Sequence, residues 1–344
     1  MSSPTPKTIN LALQGGGSHG AFTWGVLDRL LEEEPRLRIE GVSGTSAGAL
    51  NAAVLLQGHM RGGAAGARQA LDEFWHKIGE MGRFGMPQRT LVDRLLGNWN
   101  IDQAPSTVMM DVWQRMFSPY QANPFNFNPL RDALAEMLDI DAIRACQQVK
   151  VFIAATNVET GRARIFTRED ISLDALMASA CLPFAFQAVT IDGRPYWDGG
   201  FAGNPPIFPL IYNCDSPDVV LVQINPLLRA GTPDTSLEIM NRVSEISFNA
   251  SMLSEMRAIA FVQRLVEEDS LKGRDATRLK SMNMHVIADE EELRKLGAAS
   301  KANTDADFLQ FLKSTGRRTA DTWLKENWDA IGVKSSVDLK KDYL

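Results

Sequence analysis

The chain has 344 residues, 44% apolar and 23% charged, enough for one large globular domain or two small ones with a sizeable core. A formal net charge of −6 speaks against nucleic acid as a partner, because affinity there rests on Lys and Arg neutralising phosphates. Three cysteines, Cys146, Cys181 and Cys214, without CxxC spacing point to buried thiols in a reducing compartment rather than a disulfide framework or a metal site. The opening MSSPTPKTIN lacks the features of a signal peptide and no segment reads as an ordinary transmembrane helix, so the expected location is cytoplasmic, with peripheral contact to a membrane open.

An apolar run at 9–13 predicts a first strand, which leads into Gly15-Gly16-Gly17-Ser18-His19-Gly20, a GxGxxG. A glycine-rich turn feeding a helix N-terminus is a general anion site. Its amides suit a dinucleotide pyrophosphate, or the oxyanion formed when a serine attacks an ester. Glu40 sits about where a ribose-binding acid would, whereas a kinase-type P-loop does not fit, because no Gly-Lys-Ser/Thr follows. The spacing of Phe22, Val26, Leu27, Leu30 and Leu31 predicts a helix over 20–33, then a strand over 37–42 and helices over 46–57 and 65–77. Such alternation begins a parallel α/β sheet.

Residues 81–128 change texture, with Met81, Met86, Met109, Met110 and Met116 among Trp99, Trp113, Phe117 and other aromatics, broken by prolines. This is too apolar for a solvated linker, and an inserted cap or lid is expected, serving as packed core or as lipid contact. Strands resume over 149–169 around Glu159-Thr160-Gly161, a helix stops near Pro183, and a hairpin turns at Asp192-Gly193 before the loop Asp198-Gly199-Gly200. A strand over 218–226, a long helix over 236–267 with Met240, Val243, Leu253 and Met256 on one stripe, a strand at 284–288 and a helix over 305–327 close the chain.

Gly44-Thr45-Ser46-Ala47-Gly48 is a GxSxG between a strand and a helix, the context in which a strained turn lifts a serine hydroxyl out of a sheet. Ser46 is the candidate nucleophile; Ser43 reads as a turn residue. A serine needs a base within reach. His59 and His76 read as surface or packing residues, and His285, the only histidine after Asp198, could complete a Ser, Asp, His order but lies in an apolar strand-like run. Asp198 is the alternative base. It is expected to be a carboxylate at neutral pH without special tuning, with Gly199 and Gly200 letting the backbone approach another element.

GGGSHG after the first strand, GTSAG after the second and DGG downstream together resemble the three signatures of the patatin-like phospholipase family, across residues 9–206. The resemblance implies a three-layer α/β/α sandwich with a mainly parallel central sheet and an inserted helical cap. It is read here as a single domain over 1–344, with core motifs in 9–206, the insert at 81–128 and a C-terminal helical extension at 227–344. It also implies a Ser-Asp dyad without histidine, Ser46 as nucleophile and Asp198 as base, and an oxyanion hole from Gly15, Gly16, Gly17 and the amide of Ala47. Ala178 to Pro183 is similar to the family's small-residue helix ending in proline. No cofactor or metal is implied.

One position departs from the family pattern, which usually carries Lys or Arg where this chain has His19. With an unperturbed pKa of about 6.5, His19 would strengthen the anion site only when protonated, giving activity a pH-dependent limb. His19 and Gly199 are therefore expected modulators. The implied activity is hydrolysis of phospholipid or lysophospholipid acyl esters, with a lipid or ester as partner. A general carboxylesterase, a neutral-lipid lipase or a polyester depolymerase would need the same atoms. A nucleotide-binding oxidoreductase and a non-catalytic lipid-binding module are the readings from other classes.

Overall fold

Parallel strands buried on both faces need apolar residues on both faces, and β1 (Lys7–Leu13) and β7 (Asp218–Val222) have them. The computed structural model describes residues 5–82, 116–268 and 279–343, together with Trp99, Ile101, Thr107 and Met109. Its other strands are β2 (Leu37–Thr45), β3 (Lys150–Asn157), β4 (Ala163–Phe166), β5 (Val189–Ile191), β6 (Arg194–Asp198) and β8 (Asn283–Ile287). They form one sheet in the order β5-β6-β3-β2-β1-β7-β8, with β4 also paired to β3. The run from β3 to β8 is parallel, whereas β4 and β6 lie antiparallel to β3, and β5 antiparallel to β6.

Alternation along the strands separates two cores. Ile9, Leu11, Leu13, Val220 and Val222 face helices α1 (Gly20–Leu30), α2 (Ala47–Met81), α3 (Leu173–Ser179) and α5 (Ala306–Asn327). Ala12, Val219 and Leu221 face the short helix Phe208–Asn213 and the C-terminal half of α4 (Ser236–Glu267), through Leu210, Met252, Met256 and Ile259. The result is the three-layer α/β/α arrangement with a mainly parallel central sheet. The chain after residue 226 is part of these layers, since it supplies edge strand β8 and helix α5.

Several elements differ from the sequence expectation for physical reasons. β2 continues to Thr45, three residues past the expected end, because Ser43, Gly44 and Thr45 still pair with β3. The two helices expected over 46–77 are joined at Gly62 and Gly63, where the backbone leaves helical values. Helix α1 is buried almost all round rather than on one stripe, because α5 crosses its outer side: the Lys313 carbonyl lies where a Cβ on Gly25 would be. The stripe expected on α4 does not exist as a buried face. Met256 is buried, but Met240 and Val243 are 42% and 57% exposed. In that half the inward positions are polar: Glu245 binds Arg229, and Asn249 receives Gln14.

Of the 81–128 insert, most of residues 83–115, Trp113 among them, lie outside the described residues. Trp99 stacks on Phe311 of α5 at 5.2 Å and Ile101 is buried, whereas Met116, Tyr120, Phe125 and Phe127 are exposed.

Candidate active site

Ser46 is the whole turn between β2 and α2. Its φ of 54° and ψ of −124° place a residue with a Cβ in left-handed backbone space, a strain found where neighbours over-determine the conformation. The neighbours here are specific. Ser179, at the end of α3, accepts the Ser46 amide at 2.9 Å. Thr45 Oγ1 donates to the Gly203 carbonyl at 2.7 Å and Ser43 Oγ to that of Pro206 at 2.6 Å, which ties β2 to the segment after Asp198. Ser43 is thus a buried strand residue rather than part of a turn. A Cβ on Gly15 would lie 2.7 Å from both Ser46 Cβ and the Thr45 carbonyl oxygen, so the loop can cover the elbow only as glycine.

The glycine loop is held by amides from distant segments. Gln14 Oε1 accepts from the Ile224 and Asn225 amides at 2.9 Å, and Asn225 Nδ2 donates to the Gly15 carbonyl at 2.8 Å. Gly15 N donates to Asn204 Oδ1 at 2.7 Å. That bond takes Gly15 out of the set of oxyanion donors expected from the sequence. The amides of Gly16 and Gly17 remain, as does that of Ala47 at the first turn of α2, where helix amides have no intrahelical acceptor.

His19 does not act as the expected pH-dependent cation. It is 1% exposed, and its Nε2 meets Ser300 Oγ at 2.7 Å. Burial first, then the nearby charges of Lys301 and Arg229, push its pKa down to about 3, against a smaller opposing contribution from the Ile224 backbone. The ring is neutral wherever the protein would work.

Asp198 ends β6 with no exposed surface, anchored by its amide on the Cys181 carbonyl at 2.7 Å and by its carbonyl on Thr156 Oγ1 at 2.8 Å. Oδ1 accepts from the Gly200 amide at 2.8 Å, while Oδ2 is buried without a hydrogen-bond partner among the described residues. The Ser46 hydroxyl nevertheless lies near enough to favour the carboxylate, so the two groups are adjacent but not in a closed hydrogen bond. Burial raises Asp198 from 3.8 to about 7, with the Gly200 amide, the Ser46 hydroxyl and Lys301 pulling the other way. The untuned carboxylate expected from the sequence is therefore corrected: desolvation holds this group near half-ionised at neutral pH. Gly199 packs on the Ala154 carbonyl, which fixes the close approach of this loop to β3.

The other candidates are accounted for elsewhere. His285 sits in edge strand β8, separated from β2 by β1 and β7, with Nε2 on Asp218 Oδ1 and Nδ1 on Ser336 Oγ, both at 3.0 Å. His59 meets Glu34, and His76 meets the Asp72 carbonyl. Glu40 accepts from the Asp215 and Ser216 amides and Lys150, a structural clamp that leaves no carboxylate oxygen idle for a ribose. All three cysteines are free and buried, and among the described residues no group of His, Cys, Asp and Glu could hold a metal ion.

The sequence reading missed Ser179, Asn204, Asn225 and Lys301. Ser179 lay within the noted Ala178–Pro183 stretch, but nothing there marked its partner; Asn204 and Asn225 stand in loops and Lys301 in a 3-10 turn, each distant in sequence from the glycine loop it meets.

A three-layer sandwich with a strained turn at Ser46 beneath a glycine loop is the architecture of a carboxylic-ester hydrolase. Residues 11–211, more than half of the chain, match the patatin-like phospholipase family, and the protein belongs to it. No curated protein matches the chain. VipD from Legionella pneumophila is similar in structure, 14% identical over 92% of this chain and 68% of its own, with a TM-score of 0.36. ExoU from Pseudomonas aeruginosa in its complex with SpcU is 15% identical over 93% of this chain and 52% of ExoU, with a TM-score of 0.33. The chain thus spans about half the length of ExoU.

Proposed function

We propose that the protein hydrolyses acyl esters of lipids, phospholipids or lysophospholipids, through a Ser46–Asp198 dyad. The observation that carries this reading is the buried, unpartnered Asp198 Oδ2 beside the hydroxyl of a serine in a strained elbow. Asp198 takes the Ser46 proton as Oγ bonds to the ester carbonyl carbon, and the Gly16, Gly17 and Ala47 amides receive the oxyanion. Collapse breaks the bond to the alcohol, which leaves with the proton from Asp198. Water then gives a proton to the same carboxylate as its oxygen bonds to the acyl carbon; the Ser46 Oγ–acyl bond breaks, Oγ takes the proton back from Asp198, and the fatty acid leaves.

Exposed apolar side chains support a lipid over a soluble ester. Phe184 and Phe125 are 70% and 94% exposed, and the segment with Phe125 is fastened to the one after Phe184 by Gln187 Nε2 on the Asn123 carbonyl and the Ala188 amide on Tyr120 Oη. Cys181, just before Phe184, holds the Asp198 amide, so this apolar surface adjoins the base. It is read as a peripheral membrane contact. Among the described residues no helix is long and apolar enough to cross a membrane.

The test is fatty-acid release from phosphatidylcholine and lysophosphatidylcholine vesicles by wild type, Ser46→Ala and Asp198→Asn. Release by wild type alone supports the reading. Release retained in either variant refutes the dyad, and turnover confined to short soluble esters refutes the lipid substrate.

A further inference from the structure

A trans peptide unit is planar, with its C=O and N–H pointing opposite ways, so whatever holds a carbonyl also aims the amide of the next residue. In the glycine loop the unit that matters joins Gly15 to Gly16. Its carbonyl receives two buried side-chain amides, Asn225 Nδ2 at 2.8 Å and, more weakly, Asn204 Nδ2 at 3.4 Å. Its N–H, that of Gly16, has no acceptor among the described residues, whereas the preceding amide, that of Gly15, is taken by Asn204 Oδ1.

Asn225 is 1% exposed, and both polar atoms of its side chain are committed. Oδ1 accepts from Lys301 Nζ at 2.7 Å, and Nδ2 donates to the Gly15 carbonyl and, at 3.2 Å, to Gln14 Oε1. Turning this amide over would set its oxygen against two acceptors and its NH2 against a donor, so the partners determine its orientation. The bond from Lys301 needs an N–H, which an amine has with or without its charge. The backbone is fixed as well, because the Ile224 and Asn225 amides both donate to Gln14 Oε1 at 2.9 Å. A Cβ on Gly16 would lie 3.0 Å from Ile224 Cδ1 and 3.6 Å from Asn225 Oδ1, and the Lys301 carbonyl, in the 3-10 turn Ala298–Ala302, stands where a Cβ on Gly17 would be. Ile224, Asn225 and Lys301 thus back the loop, while Gly15 lies against Ser46. All three stand downstream of the loop, elbow and Asp198 motifs in sequence.

We infer that Asn225 is a positioning residue for the oxyanion: by holding the Gly15 carbonyl it turns the Gly16 N–H away from itself and toward the substrate oxygen above Ser46. The inference rests on the Ser46–Asp198 reading above. As Oγ bonds to the ester carbon, the carbonyl oxygen gains charge, and a donor already aimed stabilises that state without reorganising. The ground-state carbonyl gains less from the same donor, so the effect belongs to kcat rather than KM.

The experiment measures kcat and KM for para-nitrophenyl butyrate and for its thionoester, in which sulfur replaces the carbonyl oxygen. The proteins are the full chain as wild type, Asn225→Asp, Asn225→Leu and Ser46→Ala. Sulfur is the weaker acceptor, so an aimed donor favours the oxygen ester. The Asn225 variants are expected to lose about 10- to 100-fold in kcat on the oxygen ester with KM within about twofold, and the ester-to-thionoester ratio of kcat should fall by about 10-fold. Asp keeps the acceptor for Lys301 and Leu keeps the shape without a charge, so a variant that does not melt cooperatively is replaced by the other. A folded variant with the wild-type kcat overturns the inference. So does an equal loss on both esters, which a generally loosened site would give, or unfolding of both variants, since Asn225 would then serve the scaffold alone. Ester turnover retained in Ser46→Ala would sink the serine reading itself, and this inference with it.

Discussion

Ser179 Oγ accepts the backbone amide of Ser46 at 2.9 Å, across 133 residues of sequence. That amide belongs to a residue with a φ of 54°, so the bond helps to hold a strained turn as well as a buried donor. Ser179→Ala is expected to lower stability by about 1–3 kcal/mol, the cost of a buried amide left unpaired. Fluorophosphonate labelling of Ser46 should slow by about 10- to 100-fold as the hydroxyl loses its aim. Melting curves and labelling rates measured on one preparation check both, and a variant that melts lower but labels at the wild-type rate would assign Ser179 to packing alone.

Asp198 must be ionised to accept a proton, and burial raises it to about 7. Hydrolysis of a soluble short-chain ester should therefore rise through pH 7 and level off above pH 8, with about a tenth of the plateau rate at pH 6. A profile already flat from pH 5 would mean that a different base acts.

The same shift affects stability. With a folded value near 7 against 3.8 for an ordinary aspartate, the native state holds a proton that the unfolded chain has already released between about pH 4 and pH 7. Stability contributed by this group is thus present below pH 4 and declines as pH rises through 7. Asp198→Asn keeps an acceptor for the Gly200 amide and has no charge to bury. It should match wild type near pH 4 and exceed it at pH 8 by up to about 4 kcal/mol, read by urea denaturation at the two pH values. Glu255, a half-buried carboxyl also raised to about 7 by desolvation, gives both proteins the same background slope.

The parts that were legible in sequence were those with local signatures. β1 and β7 announced themselves as apolar runs, Gly44 to Gly48 as an elbow, Asp192-Gly193 as a hairpin with positive φ at both residues. Asp198 was legible as a residue but not in its ionisation, because desolvation comes from everything that surrounds it. The occupation of the Gly15 amide by Asn204, and the arrival of Lys301 at the loop, depend on contacts 189 residues apart in one case and on a turn beyond the family motifs in the other. Periodicity failed for α4 because its first half points polar groups, Glu245 and Asn249, toward the protein and leaves Met240 and Val243 outside.

His19 gives the sharpest contrast between the two levels of reading. In sequence it stands where a permanent cation is usual; in the fold it is enclosed with Ser300 on one nitrogen and Lys301 and Arg229 nearby. Ser300 donates its own hydroxyl to the Gly297 carbonyl at 2.5 Å, so the His19 Nε2 carries the proton in the neutral ring. His19→Gln, which can still donate to Ser300, should leave the rising limb of the pH profile in place. His19→Arg would bury a third positive charge beside Lys301 and Arg229 and should lower stability by about 3 kcal/mol or more. If His19→Gln instead removes or shifts the limb, the imidazole does titrate in the working range; if His19→Arg folds and labels like wild type, the enclosure has room for a cation and its counter-charge.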